Sequence, residues 1–143
     1  MRIIIGSDHG GFDLKEVCRH FLEEKGEYEL KDIGVFSNDS SDYPAIAHGV
    51  AQGVSRGEFE RGLLICGTGI GMSITANRYK GVRAALCHDL YTARLCRQHN
   101  DANILVMGGR VTGPGLALEM LDLFLKTRFE GGRHKRRIDQ IEV

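Results

Sequence analysis

Cys66 closes the apolar run Leu63-Leu64-Ile65 and is followed at once by Gly67-Thr68-Gly69-Ile70-Gly71. Glycines in such a turn let backbone N–H groups converge on an anion, and a helix start behind them adds partial positive charge. The same field favours thiolate over thiol, which makes Cys66 a usable base or nucleophile near neutral pH. A buried structural cysteine before a tight turn accounts for Cys66, taken alone, at least as well. Spacing excludes three familiar alternatives. A dinucleotide fingerprint needs Gly three residues after Gly69, a Walker loop needs Lys after the last Gly, and a cysteine phosphatase needs Arg six residues after the thiol. All three positions are Met72.

Cationic groups that suit a phosphate lie further along. Arg133 and Arg137 are four apart, on one face of a C-terminal helix, where two guanidinium forks can share phosphate oxygens. Arg110 follows the last strand. Taken alone, the run Arg133-His134-Lys135-Arg136-Arg137 reads as a solvated basic tail, or as a nucleic-acid patch. His9 and His99 fall in loops expected at the strand-end rim, where histidine serves as a proton shuttle. His20, His48 and His134 read as surface or packing residues. Cys87, His88, Cys96 and His99 include one ligand-like spacing, but no second close pair completes a zinc pattern, so no metal is assigned.

These residues need a scaffold, and 143 residues suffice for one domain, 1–143, with one buried core. Lys plus Arg and Asp plus Glu number 19 each, so no net field draws nucleic acid or an anionic membrane to the whole surface. No apolar run approaches the roughly 20 residues of a membrane helix, and Met1-Arg2 leads directly into Ile3-Ile4-Ile5 without a secretory signal. A cytoplasmic location and free thiols are therefore expected. Nineteen glycines beside two prolines indicate turns rather than a linker.

β-Branched runs alternate with helical patterns along the chain. Strands are expected over 2–6, 28–33, 62–66, 82–87 and 104–107. Helices are expected over 12–25, from 42–44 to 54, and over 71–77, 89–98 and 113–129, with Leu116, Met120, Leu123 and Phe124 facing inward in the last. A short basic tail follows Gly131-Gly132. Crossovers of this kind are right-handed and give a parallel sheet covered on both faces. The fold class is α/β: a doubly wound, Rossmann-like sandwich with a five-stranded parallel sheet and a short C-terminal helix. Ligands then bind outside the carboxyl ends of the strands.

Five segments, in order, resemble the ribose-5-phosphate isomerase type B family, a sugar-phosphate isomerase group that includes galactose-6-phosphate isomerase. They are Gly6-Ser7-Asp8-His9-Gly10-Gly11, Asp42-Tyr43-Pro44, Ile65 to Gly71, Arg97 to Asn103 and Glu130-Gly131-Gly132-Arg133-His134. The resemblance implies interconversion of ribose 5-phosphate and ribulose 5-phosphate through a cis-enediolate, in the non-oxidative pentose phosphate pathway. It implies Cys66 as the base and His99 as the ring-opening acid/base. The amides of Gly67, Thr68, Gly69, Ile70 and Gly71 would hold the oxyanion, and Asp8 and Asn100 would meet sugar hydroxyls. His9, Arg110, Arg133 and Arg137 would hold the phosphate. It further implies no cofactor, a homodimer or tetramer with sites at the dimer interface, and neither nucleic acid nor membrane as partner. A six-carbon substrate, allose 6-phosphate or galactose 6-phosphate, is the alternative.

Overall fold

The computed structural model describes residues Met1–Val143. Its five strands are β1 (Arg2–Ser7), β2 (Glu29–Asp32), β3 (Arg61–Cys66), β4 (Ala84–Leu86) and β5 (Ile104–Gly108). They form one parallel sheet in the order β2-β1-β3-β5-β4. The helices are α1 (Phe12–Lys25), α2 (Tyr43–Ser55), α3 (Ile70–Ala76), α4 (Leu90–Asn100), α5 (Pro114–Lys126) and α6 (Arg133–Ile138), and a single 3-10 turn spans His9–Gly11.

Alternation along the strands sorts the core into two layers. Ile3, Ile5, Leu63, Ile65, Leu105 and Met107 face α1, α4 and α5, whose Leu14, Cys18, Leu22, Ala93, Met120 and Phe124 close that side. Ile4, Leu64, Cys66, Ile104 and Val106 face α2 and α3, represented by Val50, Ala51, Met72 and Ala76. The expected doubly wound α/β sandwich is thus present, with a five-stranded parallel sheet and a short final helix.

Three details differ from the sequence reading, and the burial of Lys15 is a fourth on which it was silent. β4 is three residues long because it is an edge strand, hydrogen-bonded to β5 alone. α5 stops at Lys126: the Thr127 hydroxyl turns back onto the Leu123 carbonyl, and Arg97 Nε donates to the Thr127 carbonyl at 3.3 Å. Its inward stripe is rotated, with Ala117, Leu121 and Leu125 buried and Leu116 exposed. Lys15 in α1 is fully buried, its charge matched by Asp32 Oδ2 at 2.6 Å and Glu16 Oε1 at 3.0 Å. No helix is long and apolar enough to cross a membrane.

Candidate active site

The strand order reverses between β1 and β3, so the connections leaving these two strands diverge and open a crevice at the carboxyl edge of the sheet. Backbone hydrogen bonds weld its walls: Asp8 N–H to Ile65 O at 3.2 Å, Gly109 N–H to Cys66 O at 2.7 Å, and Arg110 N–H to Gly67 O at 3.0 Å. The loops approach so closely that a Cβ on Gly109 would sit 2.5 Å from the Gly10 carbonyl oxygen. Gly69 has φ 82°, and a Cβ there would lie 3.0 Å from the Met107 carbonyl oxygen. Both positions therefore need glycine.

Cys66 is buried at the end of β3, and its Sγ accepts the Gly69 N–H at 3.1 Å. The Gly67, Thr68 and Gly71 N–H groups have no acceptor within the chain, while that of Ile70 donates to Thr68 Oγ1 at 3.3 Å. The loop therefore offers unsatisfied donors beside a sulfur that already receives one. Donors placed in this way can hold an oxyanion set next to the sulfur. Asp8 is buried, with Oδ1 accepting the Gly11 N–H at 3.2 Å. The Arg110 guanidinium packs over Gly67, with Nη1 3.4 Å from the position of an added Cβ, and the Tyr43 ring covers Gly71 in the same way.

His9 lies on this rim, held by a contact that its sequence neighbourhood did not announce. The Ser41 N–H donates to His9 Nδ1, and the His9 N–H donates to Ser41 Oγ, each at 3.1 Å. Because Nδ1 accepts, the neutral ring carries its proton on Nε2, the nitrogen left free to donate. The clamp closes across 32 positions of sequence, through a polar loop whose composition gave no sign of it.

His99 is not on this rim, contrary to the sequence reading. It lies in the last turn of α4, which continues to Asn100. The segment that follows sits at the amino edge of the sheet: Asn103 O accepts the Gly62 N–H at 2.8 Å, and Arg83 Nε donates to Asn100 O at 2.9 Å. The reason is directional: a helix joining parallel strands runs back against them, so its final residues return to the start of the next strand. At about 3.3 Å per residue, β3 alone separates the two edges by roughly 15 Å. Within one chain Cys66 and His99 therefore cannot serve the same bond.

A second cluster forms around His99. Asn100, Arg133 and Arg137 share with it a pocket of about 450 Å³, which also includes His134, Ile138 and Ile141. The spacing of Arg133 and Arg137 thus brings them to one cavity. His134, read from sequence as a surface or packing residue, is buried and stacked on His99, with centroids 4.2 Å apart and planes 9° from parallel. Removal from water, followed by the proximity of His99 and Arg133, lowers its pKa. Glu130 Oε1 stands 3.7 Å from His99 Nε2. The available signal was the position of His134 between the two arginines.

The family model described as Ribose/Galactose Isomerase matches residues 3–141. The chain belongs to the ribose/galactose isomerase family. Its relatives include the Escherichia coli ribose-5-phosphate isomerase B, 46% identical over 140 residues, covering 98% of this chain and 93% of that one. A solved Clostridium thermocellum ribose-5-phosphate isomerase B superposes with TM-score 0.96 at 52% identity, covering 99% and 95% of the two chains. The Mycoplasma genitalium ribose-5-phosphate isomerase B, solved with bound ribulose 5-phosphate, gives TM-score 0.93 at 42% identity, covering 98% and 93%. Within this family the chain is an aldose–ketose isomerase.

Proposed function

We propose that the chain interconverts ribose 5-phosphate and ribulose 5-phosphate, with each active site assembled from the Cys66 rim of one copy and the His99 cluster of a second. The observation that carries this reading is the Cys66 thiol beside the unsatisfied amides of its own glycine loop. Cys66 takes the proton from C2 of the open-chain aldose and returns it to C1, through a cis-enediolate, while the O2 hydroxyl proton passes to O1. The Gly67 to Gly71 amides stabilise the oxyanion as it forms, which is where a fixed dipole contributes most. The step moves a proton with no net redox change, so it has no need of a nicotinamide.

His99 opens the furanose ring by proton transfer, with Asn100 and Asp8 on sugar hydroxyls. His9, Arg110, Arg133 and Arg137 hold the phosphate. A site that uses both Cys66 and His99, which lie at opposite edges of one chain, is supplied by a homodimer; a tetramer would repeat the same contact. The second reading, a six-carbon substrate such as allose 6-phosphate or galactose 6-phosphate, draws support from the galactose isomerases that the family's description includes.

The test is conversion of ribose 5-phosphate by purified wild type and Cys66→Ala with EDTA present. Wild-type turnover that falls by roughly a thousandfold or more in the variant supports Cys66 as the base. Turnover confined to the six-carbon esters would favour the second reading. Equal rates in wild type and variant would remove Cys66 from the chemistry.

A further inference from the structure

The cluster at the amino edge contains a donor set beyond what ring opening uses. His99, Glu130 and His134 each present one ligand atom, and the three atoms lie within 4.8 Å of one another. Two ligands bound to one zinc-like ion at about 2.0–2.2 Å sit roughly 3–4 Å apart. His99 Nε2 and Glu130 Oε1, at 3.7 Å, already have that spacing. His134 is stacked on His99 with planes 9° from parallel and brings a ring nitrogen within 4.8 Å of the other two ligand atoms, so binding one ion requires its imidazole to turn out of the stack about its broad terminal torsion.

The three ligands come from two segments that are tied together. The Glu130 N–H donates to Gln98 O at 3.0 Å, next to His99, and the His134 N–H donates to Gly131 O at 3.1 Å as α6 begins. Two imidazoles and one carboxylate form a donor set used by zinc sites that keep an open coordination position. Imidazole donors favour Zn²⁺, Co²⁺ or Ni²⁺ over Mg²⁺. Arg133 and Arg137 line the same pocket and oppose a cation, so binding is reversible rather than structural.

We propose that His99, Glu130 and His134 form a reversible site for a borderline divalent cation such as Zn²⁺, and that occupancy inhibits the isomerase by taking the His99 lone pair. The binding half stands on geometry alone; the inhibitory half rests on the reading of His99 as the ring-opening acid/base. The metal here is an inhibitor, not a cofactor.

The experiment titrates the metal-stripped full chain with Zn²⁺, and with Mg²⁺ in parallel, following the histidine ring resonances and the heat of binding. One Zn²⁺ per chain is expected, perturbing His99 and His134 together, with Mg²⁺ silent. Glu130→Gln and His134→Gln should each weaken binding roughly tenfold or more. In the isomerase assay, Zn²⁺ inhibition should be reversed by EDTA. In Glu130→Gln the inhibitory concentration should rise by the same factor as the dissociation constant, each activity being read against the same variant without metal.

No Zn²⁺ binding up to about 1 mM would overturn the site. So would affinity unchanged in both variants, which would place the ion on Cys66 or on the Cys87 and Cys96 thiols, whose sulfurs lie 3.9 Å apart. Binding at the three residues without inhibition would overturn the inhibitory half. A chain that binds Zn²⁺ there but turns over no sugar phosphate would keep the site and reject the proposed function.

Discussion

A thiol becomes a base through its surroundings, and the Cys66 sulfur has an amide donor at 3.1 Å with further unsatisfied amides in the same loop. The residues proposed to hold the phosphate would act differently, contributing binding rather than proton transfer. Arg137 lines the His99 pocket with an exposed guanidinium. Its loss should remove one charge-assisted contact to the phosphate, of about 1.5–3 kcal/mol. Arg137→Ala is therefore expected to raise KM for ribose 5-phosphate about tenfold or more with kcat little changed; unchanged KM and kcat/KM would count against the role. At this scale the positions of Cys66, Asp8 and His9 on the rim, and of the paired arginines on one cavity, were legible, because each stands in a local pattern that encodes its setting. Ser41, Glu130 and the function-related position of His134 were not. Their partners are reached by folding, across 32 residues for Ser41 and 31 for Glu130 with His99, which no local pattern records.

At the scale of elements, alternation and glycine punctuation carried the sheet, the two layers and all five longer helices. The direction of α4 relative to the rim was available in principle and misread: ending the helix at Gln98 left His99 apparently in a loop. The helix runs on to Asn100, with Asp101 at φ 45° turning the chain into Ala102, and Arg97 holding both through Asp101 Oδ1 at 2.9 Å and the Ala102 carbonyl. Lys15 was invisible as a core residue because only its pairing with Asp32 and Glu16 makes its burial tolerable. The α1 core gives a pH prediction. Cys18 is buried against β1 and β3, and burial pushes its thiol from an ordinary 9.0 up to about 12. A folded-state pKa raised above the unfolded value gives stability that is complete below pH 9 and is lost as pH rises toward 12. Between about pH 8 and 10.5 this group should cost wild type about 2 kcal/mol. Urea midpoints for wild type should therefore fall more over that interval than those of Cys18→Ala; parallel slopes would contradict the assignment.

At the scale of the whole molecule, the placement of the two clusters at opposite edges of one sheet becomes a statement about assembly. A two-fold contact between copies is self-complementary, so in the dimer proposed above the Cys66 rim of each chain meets the His99 cluster of the other and two sites form at once. On that proposal one chain alone would have neither site, and loss of either cluster would remove both sites from a homodimer. A mixed dimer is different: one chain lacking Cys66 and the other lacking His99 and Arg137 contain one doubly defective site and one intact site. The most direct measurement is therefore complementation between Cys66→Ala and the double variant His99→Asn/Arg137→Ala, each assayed alone and after subunit exchange confirmed by mass spectrometry. Random exchange puts half of the molecules in mixed dimers with one good site of two, so recovery of about one quarter of wild-type ribose 5-phosphate turnover is expected. No recovery in confirmed mixed dimers, or near-wild-type turnover by either variant alone, would contradict a site shared between Cys66 of one copy and His99 of another.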